Sequence, residues 1–207
     1  MERDAFLARV RDRLSGVVAP PLPSELPGTF ASGDGRLYER FAQELGAVGG
    51  EPLRLRESEV ADAIAELATG TSRAVVARDV PARAAVEAGL ARAGCAAAEP
   101  SREEAEVAGL GITGAELGVA STGSVLVRMG PGAPRVASLL PPLHVCLLAE
   151  ERIVPGFEEL FAALPAHASA SAQTVLITGP SRTSDIERTL VWGVHGPIRV
   201  AVLVIAA

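Results

Sequence analysis

Apolar residues recur at helical spacing at the start of the chain. They share one side of a helix: Phe6, Leu7, Val10 and Leu14. Residues 20–35 then hold four prolines and three glycines, which is typical of an extended linker. A second amphipathic helix is predicted over residues 37–48. We therefore expect an N-terminal helix and linker in residues 1–35, ahead of one domain in residues 36–207.

From residue 53 onward, short apolar strands alternate with amphipathic helices. Strands are predicted at 53–55 and 74–77, and helices follow them around Val60 and Val86. Such alternation implies right-handed crossovers between parallel strands. Aromatic residues are only 3% of the chain, so the core must consist of small aliphatic side chains. The predicted class is α/β, with a mostly parallel sheet flanked by helices and an N-terminal helical extension.

The second half of the chain has shorter strands and polar turns. The segment 121–124 (Ser-Thr-Gly-Ser) is predicted as a tight turn between two short strands. Further strands are predicted at 145–148, 174–177 and 198–205, and a helix at 155–164. The strand at 174–177 is predicted to be buried.

The loop after Ile177 is rich in hydrogen-bonding groups, and these are candidate ligand-binding residues: Thr178, Gly179, Ser181, Arg182, Thr183 and Asp185. In an open parallel sheet, ligands bind beyond the carboxyl ends of the strands. A glycine there lets backbone N–H groups approach an anion, and a following helix N-terminus favours negative charge. The alternative is a capped strand-to-helix turn without a ligand, in which Asp185 caps the helix or pairs with Arg182.

Other candidate ligand-binding residues lie elsewhere in the second half: Thr122, Gly123, Ser124, Arg135, Ser138, His195 and Gly196. His195 is either a hydrogen-bond donor or acid–base group, or a turn histidine bonded to the backbone. His144 opens an apolar strand and is predicted to be structural. Glu116 is either a base or nucleophile, or an exposed helix residue. The site hypothesis requires the segments around residues 122, 182 and 195 to converge on one polar cleft.

Charge and cysteine usage narrow the function classes. The formal net charge of −6 argues against nucleic acid as the main partner. Cys95 and Cys146 lie in apolar stretches and are predicted to be buried free thiols, with no metal site and no cofactor held by this chain. The chain lacks a signal-peptide pattern and a membrane-spanning apolar run, so a cytoplasmic location is expected. Common catalytic motifs are absent, and the sequence assigns no catalytic residue.

Six segments occur in the order seen in the lactate-utilisation protein C family, which is built on the LUD domain. They are Gly-Ile-Thr at 111–113, Thr-Gly-Ser at 122–124, Ser-Leu-Leu-Pro-Pro-Leu-His at 138–144, Ile-Val at 153–154, the run from Ile177 to Glu187, and Gly-Val-His-Gly-Pro at 193–197. The chain resembles this family over residues 36–207, most densely after residue 107. One departure is Ser121, which stands where family members often carry an acid.

The resemblance implies a NagB/RpiA/CoA-transferase-like fold and a bacterial setting. It also implies an accessory role in the oxidation of lactate to pyruvate, beside iron–sulfur partner proteins. A small carboxylate or phosphorylated ligand would bind in the cleft. The alternative, implied by the fold group alone, is an independent enzyme acting on an acyl, sugar-phosphate or folate-like substrate.

Overall fold

The computed structural model describes residues 3–17, 36–130, 135–164, 173–183 and 191–206. The helices are α1 (Arg3–Leu14), α2 (Leu37–Ala47), α3 (Val60–Leu67), α4 (Arg83–Arg92), α5 (Arg102–Val107), α6 (Val136–Leu139) and α7 (Phe157–Ala163). The strands are β1 (Glu51–Arg56), β2 (Arg73–Val76), β3 (Ala96–Ala98), β4 (Leu110–Gly114), β5 (Leu117–Val119), β6 (Ser124–Met129), β7 (Leu143–Ala149), β8 (Ile153–Val154), β9 (Gln173–Ile177), β10 (Arg182–Thr183), β11 (Val191–Trp192) and β12 (Arg199–Ala206). Within these described ranges, no helix is long and apolar enough to cross a membrane.

The largest element is a six-stranded sheet in the order β1-β12-β7-β4-β2-β3. Every neighbouring pair in it is parallel. Helices α3 and α4 cover one face, where Val60, Ile64 and Leu90 pack against apolar side chains of the sheet. The α/β class and the parallel sheet predicted from the strand–helix alternation are confirmed.

The other face of this sheet is covered by a second, four-stranded sheet in the order β8-β5-β6-β9. Strand β6 is antiparallel to both of its neighbours. Phe41 and Leu45 of α2 join the apolar layer between the two sheets and are almost fully buried. Burying side chains of this size contributes about 1.5–3 kcal/mol each to folding. The second sheet was not predicted, because its strands are short and its pairings join distant parts of the chain.

The turn between β5 and β6 forms as predicted and requires a glycine. Gly123 has φ +64°, a left-handed conformation that other residues rarely adopt. A Cβ atom there would lie 2.1 Å from the backbone nitrogen of Leu45. The turn is therefore pressed against α2, which fixes the position of the second sheet relative to this helix.

Two predictions about local structure need correction. Strand β9 is not buried: it is the edge strand of the second sheet, and Gln173, Thr174 and Leu176 are exposed. Glu116 is not on a helix, because it lies between β4 and β5.

Candidate functional site

A cavity of about 360 Å³ lies between the edge strand β9, the helix α6 and the segment before β12. Its polar lining comes from three separate parts of the chain: Arg135, Ser138, Gln173, Thr178, Gly179, Ser181, His195 and Gly196. Its apolar lining is Met129, Leu139, Val175, Leu176, Ile177, Pro197 and Val200. Seven of the polar positions were predicted from the sequence, while Gln173, one position before the predicted strand at 174–177, was missed.

Backbone hydrogen bonds hold the loop after β9 against the segment before β12. The N–H of Ser181 donates to the carbonyl of Pro197 at 2.9 Å, and the N–H of Gly193 donates to the carbonyl of Ser181 at 2.9 Å. A Cβ atom on Gly196 would lie 3.1 Å from the Cβ of Ser181, so the two segments are in close contact. Ser181 and His195 are thereby brought to one wall of the cavity although they are fourteen positions apart.

A chain of hydroxyl groups supports this wall from behind. The Oγ1 of Thr122 lies 2.7 Å from the Oγ of Ser124, which lies 2.7 Å from the Oγ1 of Thr178. Ser124 is fully buried, whereas Thr178 is exposed and borders the cavity. Thr122, Gly123 and Ser124 therefore contact the candidate site indirectly and are not part of the cavity lining.

Helix α6 brings Arg135 and Ser138 to the opposite side of the cavity. A Cβ atom on Gly111 of β4 would lie 1.8 Å from the carbonyl oxygen of Ala137, so the helix sits directly on the strand. The Oγ of Ser138 donates to the carbonyl of Arg135 at 3.1 Å. This bond ties the side chain of Ser138 to the start of the helix, and Arg135 is exposed at the cavity.

Arg182 and Thr183, which were also predicted, do not line the cavity either. The guanidinium of Arg182 lies 5.2 Å from the ring centre of Trp192, in a cation–π contact, and the side chain is exposed. Thr183 pairs with Val191 in the short antiparallel ladder of β10 and β11. Asp185 lies outside the described residues, and so does the start of the helix expected after the loop.

The sequence predicted a site beyond the carboxyl ends of the parallel strands. The cavity does not lie there. Pro197 precedes β12 and Val200 is near its start, so the cavity borders the amino end of this strand. The reason is that β9 belongs to the second sheet and runs antiparallel to β6. The loop after β9 thus reaches the amino ends of the strands of the parallel sheet, opposite to the end that was predicted.

A shallower depression of about 210 Å³ does lie at the carboxyl ends of β2 and β4, and Glu116 lines it. The Nε of Arg128 donates to Glu116 Oε2 at 2.9 Å, and Arg128 Nη2 donates to the other carboxylate oxygen. Glu116 is therefore held in a bidentate ion pair with Arg128 of the neighbouring strand β6. The sequence had left two interpretations of Glu116, a base or nucleophile and an exposed helix residue. The ion pair gives it a structural role instead.

A polar cluster is buried in the layer between the two sheets. The Oγ1 of Thr113 lies 2.8 Å from Nε2 of His144 and 3.6 Å from Sγ of Cys146. Burial lowers the pKa of His144 to about 4 and raises the pKa of the Cys146 thiol to about 12. His144 is thus neutral near pH 7, and its Nδ1 has no hydrogen-bond partner among the described residues. The prediction that His144 is structural agrees with its full burial.

The titratable residues do not group into an evident metal site. Across the described ranges, no cluster of three or more His, Cys, Asp or Glu side chains could hold a metal ion. Cys95 and Cys146 are both buried and free, as predicted. The chemistry offered by the cavity is hydrogen bonding: hydroxyls of Ser138, Thr178 and Ser181, with the guanidinium of Arg135 and the imidazole of His195. Such groups bind carboxylate or phosphate oxygens.

Comparison with known proteins finds a matching family model and several similar proteins. Residues 38–205 match the family model of the LUD domain. A lactate utilization protein C from Deinococcus radiodurans is 29% identical over 191 residues, which cover 90% of this chain and 85% of that protein. One from Halalkalibacterium halodurans is 36% identical over 107 residues, covering 50% of this chain and 46% of that protein. The matched part of this chain spans about half the length of most such relatives.

A solved structure supports the fold. The crystal structure of a DUF162 family protein from Deinococcus radiodurans superposes with a TM-score of 0.62 at 22% identity. The match covers 82% of this chain and 96% of that one. At this level of identity the likeness concerns the fold alone.

Proposed function

Because the chain belongs to the LUD domain family, we propose that it serves in lactate utilisation and binds a small anionic ligand in the cavity beside β9. In this proposal the chain is an accessory protein in the oxidation of lactate to pyruvate. That oxidation releases two electrons and two protons, and iron–sulfur partner proteins would accept the electrons. The role of the chain is to bind and present the small carboxylate, or a phosphorylated compound, to these partners.

The observation that carries the ligand proposal is the convergence of three donor-bearing segments on one cavity. Its volume of about 360 Å³ lies within the usual range for small-molecule sites, roughly 300–1,000 Å³, and leaves room for a three-carbon hydroxy acid. Hydroxyl groups stand on both sides, from Ser138 on α6 and from Thr178 and Ser181 on the loop after β9. The hydroxyls of Thr178 and Ser181 can donate to a ligand oxygen, whereas Ser138, whose proton goes to the carbonyl of Arg135, can accept from a ligand hydroxyl.

Charge recognition falls to Arg135 in this proposal. Its planar guanidinium can donate two parallel hydrogen bonds to one carboxylate or phosphate group. His195 stands on the opposite wall and can donate to, or accept from, a ligand hydroxyl. Arg182 is less suited to this role because its guanidinium already lies over Trp192.

Growth on lactate tests the physiological proposal. A strain that lacks this gene should grow poorly on lactate and normally on pyruvate, and the wild-type gene should restore growth. We expect Arg135→Ala to restore growth poorly and Arg182→Ala to restore it well, at equal protein levels. Normal growth of the deletion strain on lactate would contradict the role. Turnover by the isolated chain of an acyl, sugar-phosphate or folate-like substrate would favour the alternative of an independent enzyme.

A further inference from the structure

Large apolar side chains that are exposed fall almost entirely into two groups in the described part of the chain. One group, the apolar stripe, comprises Phe6, Val10, Leu14 and Val17 on and just after α1. The other, the apolar rim, comprises Leu139, Leu140, Leu176, Val191, Trp192, Val194 and Ile198. Within the described residues, Val107 and Phe161 are the only exposed large apolar side chains outside these two groups. Exposed apolar surface that is contiguous marks a contact site more often than scattered residues do.

Part of the apolar rim lies at the cavity. Leu139 and Leu176 line the cavity directly, on opposite sides. Val194 and Ile198 flank the segment 195–197, which also lines it. A Cβ atom on Gly193 would lie 1.9 Å from Cγ2 of Ile198, so the residue after β11 packs closely against the residue before β12.

The apolar stripe has no contact partner among the described residues. Helix α1 has twelve residues, and none of them is buried. An isolated helix of this length is only marginally stable in water, because its first turn orders several residues for a single hydrogen bond. Phe6, Val10 and Leu14 recur every fourth residue and so share one face. The helix would be stabilised if the apolar stripe were buried against another surface.

The connection between α1 and the domain permits contact with the rim. The end of α2 touches the rim, because a Cβ atom on Gly49 would lie 2.8 Å from Cη2 of Trp192. Helix α2 is eleven residues long, so its start lies about 15 Å from that point. Eighteen residues separate Val17 from Arg36, and a chain of that length can reach at most about 60 Å. A tethered segment also has a high effective concentration at a site within its reach.

We infer that the apolar stripe of α1 docks on the apolar rim of its own chain and covers the mouth of the cavity. Both surfaces are apolar, both are exposed, and a tether of sufficient length joins them. The opposite face of α1, which carries Asp4, Ala8 and Asp12, would remain in water. This inference does not depend on the identity of the ligand.

Trp192 makes the docking measurable, because it is the only tryptophan of the chain and is 44% exposed in the rim. The experiment is acrylamide quenching of Trp192 fluorescence in the full-length protein. We compare the wild type with a Phe6→Ser/Val10→Ser variant of the stripe. The matched control is Ala5→Ser/Ala8→Ser, which makes two changes on the opposite face of the same helix.

If α1 docks, the stripe variant should show a quenching constant about twofold higher than the wild type, since the cover is lost. The control variant should behave like the wild type. None of these positions is buried, so the domain should fold in every variant. Equal quenching in the wild type and the stripe variant would overturn the inference. Protection that grows with protein concentration would also overturn it, because α1 would then dock on a second copy.

Discussion

The hydroxyl of Thr113 lies 2.8 Å from Nε2 of His144, in the fully buried layer between the two sheets. The two residues stand on neighbouring parallel strands, where Thr113 is the register partner of Cys146 and Gly111 that of His144. Since Nδ1 of His144 has no partner among the described residues, this is the one hydrogen bond that the structure shows for the ring. The stability of the sheet-to-sheet layer therefore depends on this pair.

Thr113→Val keeps the shape of the side chain and removes its hydroxyl. We expect the free energy of unfolding to fall by about 1–3 kcal/mol, because Nε2 of His144 is left buried without a partner. Urea denaturation followed by circular dichroism measures this. Thr69→Val is the control, because Thr69 is exposed and donates only to the carbonyl of Ala65. A control variant as unstable as Thr113→Val would contradict the special role of the pair.

The depressed pKa of His144 predicts a loss of stability in mild acid. Burial holds the pKa at about 4 in the folded protein, against 6.5 for an ordinary histidine. The unfolded chain therefore binds more protons between these values, and stability falls as the pH drops from about 6.5 toward 4. The contribution is fully present above pH 6.5, and at pH 5 we expect about 2 kcal/mol to be lost.

Urea denaturation at pH 7 and pH 5 measures this dependence. In a His144→Gln variant, the part of the pH dependence that comes from this ring should disappear, although the variant is less stable at pH 7. The comparison is therefore between the two pH values for each protein. If the wild type and His144→Gln lose the same free energy on acidification, His144 is not responsible.

Gly111→Ala should move α6 and disturb the cavity. The new Cβ would lie 1.8 Å from the carbonyl of Ala137, and backbone cannot yield as a flexible side chain can. We expect destabilisation of about 1–3 kcal/mol, typical of overpacking, and weaker ligand binding because Arg135 and Ser138 shift with the helix.

Gly46→Ala is the matched control for this change. Gly46 lies within α2, and its Cβ would meet nothing within 4 Å. Alanine is the better helix former, so this variant should be more stable by about 0.5–1 kcal/mol. Thermal denaturation monitored by calorimetry separates the two outcomes, and an undisturbed Gly111→Ala protein would show that α6 is not held tightly on β4.

The sequence predicted the parallel sheet because short strands such as β1 and β2 alternate with amphipathic helices along the chain. It did not predict the second sheet, since the pairing of β6 with β9 joins Val125 to Ile177, and no local pattern records such a contact. The expectation that β9 is buried failed for the same reason. An edge strand with apolar residues and a buried strand look alike in a single sequence.

The candidate site was predicted in part. There is a physical reason why some of its residues could be predicted and others could not. Hydroxyl-rich loops with glycines are visible in the sequence, and those at Thr178, Ser181 and His195 do line the cavity. The role expected for Arg182 rested on its place in such a loop. The sequence could not show that Trp192, ten positions later, lies beneath its guanidinium. Which arginine faces the cavity is decided by tertiary contacts, and these place Arg135 there.

Isothermal titration calorimetry of the purified protein with lactate, pyruvate and inorganic phosphate tests the central claim most directly. The account predicts binding of at least one of these anions by the wild type. Arg135→Ala should weaken that binding by about 1.5–3 kcal/mol, the range for a charge-assisted hydrogen bond, while Arg182→Ala leaves it nearly unchanged. Equal affinity in the wild type and Arg135→Ala, or no binding of any of the three anions, would contradict the assignment of this cavity as the anion site.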